Sequence, residues 1–138
     1  MDNLAIIFRS GQFLAHQLHN EARGEAFFSD HAFLGDLYGT YEDGYDAIVE
    51  RVIGLGVEDV DIPGWNQRAM KVYGGMAKGQ SFSPENWPAV VLEVERAIQG
   101  EIRAYLKKGL ASDGVQNLLQ GMADESEMRV YKVKQRAS

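Results

Sequence analysis

The chain has no cysteine, only 3 histidines and 3 prolines among 138 residues, and fewer basic than acidic side chains, 14 Lys and Arg against 20 Asp and Glu. Without cysteine there is no disulfide framework and no thiolate zinc site. So few histidines leave any metal centre dependent on carboxylates, which suits iron or manganese better than a structural zinc. A net charge of −6 denies the body of the chain the basic footprint that grips nucleic acid. Long apolar runs are missing as well. The opening MDNLAIIFRSGQF carries an acid at position 2, so it reads as neither signal peptide nor membrane span, and a cytoplasmic chain is expected. No internal repeat occurs, and the length fits one domain over residues 1–138.

What is present is a helical period. Apolar residues recur at spacings of three and four, while strict alternation is scarce, which predicts an all-α fold. Leu4, Ile7, Phe8, Gly11, Leu14 and Leu18 form one stripe on a first helix over 3–21, broken at Arg23-Gly24. A second helix over 26–55 presents Leu34, Tyr38, Tyr41, Tyr45, Ile48 and Val52, and Gly54 and Gly56 end it. Residues 57–83 make a crossover punctuated by Pro63, Gly64, Gly74, Gly75 and Gly79, with a short helix near 65–73. Ser83 or Asn86 caps a third helix with Val91, Val94, Ile98, Ile102, Tyr105 and Leu106 inward, and Trp65 and Trp87 read as anchors. Ser112-Asp113 caps a fourth, carrying Val115, Leu119, Met122, Ser126 and Val130. Residues 129–138 concentrate Arg129, Lys132, Lys134 and Arg136 and read as a short basic tail, a solvated end and the one candidate contact for DNA. Short, long and short connections predict an up-down-down-up four-helix bundle.

The chemistry lies between His19 and Glu50. At about 100° per residue, His31, Gly35, Gly39, Glu42, Asp46 and Glu50 share a second, polar stripe on the second helix. Each helical Gly costs about 1 kcal/mol relative to Ala, so Gly35 and Gly39 imply close packing against that face. His31 and Asp46 stand 15 residues apart, roughly 22 Å along the axis at about 1.5 Å per residue. They cannot meet within one subunit. Two copies of this helix crossing antiparallel near residues 38 and 39 bring His31 of one beside Asp46 of the other, twice, with Gly39 at the crossing. Folding back through Arg23-Gly24 sets His19 level with His31, and Glu50 lies one turn beyond Asp46. Two imidazoles from one subunit and two carboxylates from its partner suit ferrous iron and also admit zinc or manganese.

These residues carry a family resemblance. The stretch LHNEARGEAFFSDHAFLGDLYGTYEDGYDAIVERVIGLG resembles the Dps proteins, the DNA-protection-during-starvation mini-ferritins. Their pattern runs His, a Gly turn, Phe, His, then Asp-x-x-x-Glu-Arg before Leu-Gly. The spacing of His19, His31, Asp46, Glu50 and Arg51 matches it without a gap. The run DHAFLGDLY is also similar to shorter ferritin-like proteins of phage genomes. The resemblance implies a ferritin-like bundle with a crossover carrying an extra helix, and a mono- or di-iron ferroxidase site shared across a two-fold interface. It further implies a hollow dodecamer that stores ferric oxide, with nucleoid association where DNA is bound.

Three departures qualify that expectation. Dps usually has an Asp four residues after its second His, where this chain has Gly35, with Asp36 turned away by about 100°. The site is then one ligand short, weaker, or completed by Glu42 or water, and His16, one turn before His19, stands behind the ligands or faces solvent. Asn20 occupies the place of a common Trp. SDGVQNLL resembles the family's acidic pore segment, which places Asp113 in an iron channel, but Asn117 replaces a second Asp. A classical ferritin centre inside one bundle is excluded, because no Glu-x-x-His occurs. The alternative is a ferritin-like assembly or DNA-packing protein whose metal site is degenerate.

Overall fold

In a computed structural model, which describes residues 1–56, 58–80 and 82–138, the chain is all-helical. Helix α1 spans Asp2–Glu21, α2 Phe27–Leu55, α3 Ile62–Ala77, α4 Trp87–Lys107 and α5 Asp113–Ala137. A 3-10 turn at Pro84–Asn86 leads into α4. Among the described residues there is no strand.

The helix ends follow local chemistry. Gly24, at φ 91°, makes the turn between α1 and α2, and Gly56 closes α2 in the left-handed conformation at φ 61°. Ser83 accepts from the Asn86 N–H and Ser112 from the Val115 N–H, so the expected serine caps start the 3-10 turn and α5. Helix α3 is longer than the expected 65–73. Asp61 caps it by accepting from the Gly64 N–H, Pro63 occupies the first turn, and Trp65, Ala69, Tyr73 and Met76 keep one phase against the core. That packing offsets the glycines, which bias a local reading towards a break.

Helix α1 packs against α2, α3 and α4, and α4 against α5. Leu14, Leu18, Leu34, Ile48, Ile98 and Leu119 are wholly enclosed at the centre. The Phe8 ring presses against Gly44, where an added Cβ would stand 2.6 Å from it, so close approach of α1 and α2 requires glycine there. Helix α3 is tied to α1 through Ser10, whose hydroxyl donates to the Ile6 and Ala69 carbonyls, and through Arg9 with Asn66 and Phe13 against Tyr73. Helices α2 and α5 instead face each other across an open groove of about 530 Å³.

The basic tail is the clearest correction to the sequence reading. Residues 129–137 continue α5 as regular helix, with Val133 buried and Val130 half-buried. Arg129 turns inward to Glu95 at 2.9 Å, and Arg136 grips Asp30 at the start of α2 through two bonds of 2.8 Å. Among the described residues, Lys132 and Lys134 are exposed and form no ion pair. The stripe of α5 runs on from Ser126 and Val130 to the buried Val133, and this carries the segment onto the core.

Arg136 holds the Asp30 carboxyl below its ordinary range, chiefly by hydrogen bonding. A depressed carboxylate stabilises the fold above the unfolded-state pKa, and that contribution is lost as pH falls through the folded value. Arg136 is half exposed, so solvent screens the pair. Arg136→Gln is therefore expected to cost about 1 kcal/mol at neutral pH. In urea unfolding, the difference from wild type should vanish on acidification below the ordinary aspartate range.

Candidate metal centre

The α1–α2 hairpin sets His19 and His31 ring on ring, with centroids 3.7 Å apart and planes 23° from parallel. The cause is backbone chemistry at the end of α1. The last four carbonyls of a helix lack helical partners, and His19 belongs to that turn. His31 Nδ1 donates to the His19 carbonyl at 3.1 Å, and His19 Nδ1 donates to the His31 carbonyl at 2.7 Å. A carbonyl oxygen only accepts, so each Nδ1 carries the hydrogen and each Nε2 keeps its lone pair. A histidine that binds metal through one nitrogen commonly donates the other to a carbonyl or carboxylate, which fixes its tautomer and ring.

Aromatic rings frame the pair. Phe27 stacks on the outer face of His31 at 5.0 Å, and Tyr38 meets His19 edge-on at 5.5 Å. His16 is exposed and lies over Tyr38 at 4.5 Å, with its ring 6.3 Å from that of His19. It therefore sits beside the pair and not between the two rings. Both paired histidines are half-buried, with one side packed in the hairpin.

The carboxylates stay away from the imidazoles within one chain. Asp46 and Glu50 are exposed on the second half of α2, Asp36 is exposed, and Glu42 accepts a 2.7 Å bond from Gln12 Nε2. Asp113 is exposed in the first turn of α5. Among the described residues, no group of three or more His, Asp and Glu side chains converges in a way that could hold a metal ion. One subunit thus supplies two nitrogen donors and no carboxylate beside them. Gly39, on the same stripe as His31 and Asp46, has open space in front of it, with nothing within 4 Å of an added Cβ. Gly35 differs, because the His19 ring fills the space before it.

Sequence reasoning missed a second polar centre, deeper in the fold. Glu95 is wholly buried on α4, and its carboxylate accepts from the Tyr41 hydroxyl, from Ser126 Oγ at 2.7 Å and from Arg129 Nε at 2.9 Å. Gln99 supports Ser126 at 2.9 Å. Burial, and after it the neighbouring Glu95 charge, pushes the Tyr41 hydroxyl well above its ordinary range, so Tyr41 remains a donor. The signal was there to read: Glu95 stands one turn after Val91 and one turn before Ile98 on the apolar stripe of α4. This acid is matched by a guanidinium and two hydroxyls, the arrangement of a structural buried ion pair.

No helix among the described residues is long and apolar enough to cross a membrane. In comparisons with known proteins, no family model, no curated protein and no solved structure matches the chain.

Proposed function

We propose that the chain is an iron-oxidising mini-ferritin of the Dps type, a ferritin-like four-helix bundle in which α1, α2, α4 and α5 are the bundle and α3 rides on the long crossover. The observation that carries the reading is the His19–His31 pair, in which both Nδ1 atoms are bonded to backbone and, among the described residues, neither Nε2 has a hydrogen-bond partner. Two fixed imidazoles with no carboxylate beside them are half of a site. The exposed Asp46 and Glu50, on the helix face that Gly39 leaves open, are the other half when α2 of a second subunit crosses antiparallel.

In this reading ferrous iron is the substrate. The imidazoles fix its position and the partner's carboxylates stabilise the rising charge. The oxidant is hydrogen peroxide or dioxygen: with peroxide, two ferrous ions each give one electron, the O–O bond breaks and two protons complete two waters, and with dioxygen four electrons and four protons give the same product. Ferric ion passes to a stored oxide, and the net charge of −6 per chain is of the sign that draws cations towards the shell.

Anaerobic titration with ferrous iron, read beside light scattering, tests the proposal. About one or two ions per histidine pair and a particle near 185 kDa, twelve chains of 15.4 kDa, are expected. Binding no greater than in a protein-free blank would overturn it and leave the shell as an assembly protein with a degenerate site.

A further inference from the structure

At Gly35, one turn after His31, an added Cβ would stand 3.1 Å from His19 Cε1 and 3.2 Å from His19 Nδ1. Contacts that short are tighter than a carbon normally accepts, and here the neighbour is a ring with little freedom. Its Nδ1 is bonded at 2.7 Å to the His31 carbonyl on one side, and its face is stacked on His31 at 3.7 Å. A Cβ at position 35 therefore presses on a ring that this bond and this stack hold in place.

We infer that Gly35 is the positioning residue of the metal site: its missing side chain is the seat of the His19 imidazole. The place where the resembled family carries an aspartate is filled here by the edge of a histidine ring. In this chain the His19 ring stands where a side chain at position 35 would begin, so a side chain added there competes with the ring for that space. Restoring the aspartate therefore weakens metal binding by displacing His19, whereas a site merely short of one ligand would be strengthened by it. The inference rests on the reading of His19 and His31 as half of a metal site, and its test separates the two.

The apo protein is compared by NMR with Gly35→Ala and Gly35→Asp, and each form is then titrated anaerobically with Co²⁺ as the probe. Gly100→Ala is the control, since Gly100 is an exposed helical glycine with nothing within 4 Å. In wild type and Gly100→Ala, the His19 Nδ1–H is a slowly exchanging, hydrogen-bonded resonance. In both Gly35 variants it is lost, and Co²⁺ affinity falls about tenfold or more. A stability cycle guards against simple misfolding. Gly35→Ala raises the melting temperature in a His19→Ala background, as Gly100→Ala does in wild type, but not when His19 is present. A Gly35→Asp protein that binds Co²⁺ more tightly than wild type, or a Gly35→Ala protein that keeps the His19 resonance, overturns the inference. Absence of Co²⁺ binding in every form, with the resonance and the cycle as expected, overturns the metal reading and leaves Gly35 as the seat of the ring.

Discussion

Replacing Glu95 by alanine is expected to remove about 3–5 kcal/mol of folding stability, a large part of what a domain of this size has to lose. The carboxylate has no exposure, and it satisfies three donors from α2 and α5. Its removal leaves the Arg129 guanidinium, 12% exposed, without an anion and the buried Tyr41 hydroxyl without an acceptor. Breaking one side of a buried pair costs more than the pair contributes net, because the surviving charge stays desolvated. The position also carries more than local packing. Helices α2 and α5 are separated by the groove, and Glu95 links Tyr41 of one to Arg129 and Ser126 of the other. Urea unfolding at fixed protein concentration measures the loss, since subunit association itself adds stability by mass action. The double change Glu95→Leu with Arg129→Met, which removes both charges together, should recover much of it. A Glu95→Ala protein within about 1 kcal/mol of wild type would mean that water enters and satisfies the orphaned groups.

The second large effect concerns metal. His31→Ala removes one of the two nitrogen donors and also the bond that His31 Nδ1 gives to the His19 carbonyl. Asp46→Ala removes an exposed carboxylate that joins no metal-binding group among the described residues. In the proposed site either change alone abolishes high-affinity ferrous binding. The two differ in folding. Asp46→Ala leaves stability within about 0.5 kcal/mol of wild type, as surface substitutions usually do. His31→Ala loses stacking with His19 and Phe27 and uncaps α1, at about 1 kcal/mol.

Much of this architecture is legible in the sequence because helical packing writes a period. The aromatic stripe of α2, Tyr41 and Tyr45 above all, is buried where the spacing puts it. The level placement of His19 and His31 follows from their similar distances from the turn at Gly24, five residues before it and seven after. The pose of the rings does not follow, because it depends on two things that no periodicity encodes: an unpartnered carbonyl in the last turn of α1, and an empty Cβ position at Gly35. Gly35 reads in sequence as a missing ligand, and in three dimensions it is space in use. Glu95 and Arg129 were hidden for a related reason. Glu95 falls on the apolar stripe of α4, but Arg129 reads as a tail cation, and their pairing appears only when α4 and α5 bring them together. The α3 boundaries were misjudged because Gly64, Gly74 and Gly75 weigh heavily in a local reading, whereas the Asp61 cap and the contact with α1 decide the outcome.

A metal site completed between subunits makes a prediction for mixed assemblies that a site within one chain does not. His31→Ala and Asp46→Ala chains are prepared separately and then as mixed assemblies, and anaerobic ferrous binding is measured in each. Across a two-fold seam, a mixed pair joins the intact histidines of one chain to the intact carboxylates of the other. It thereby regenerates one full site and sacrifices its twin. The account predicts no high-affinity binding in either variant alone, and in an equal, randomly paired mixture about a quarter of the wild-type sites, since half of the dimers are mixed and each carries one intact site of two. A mixture that binds no more iron than its two components would contradict it.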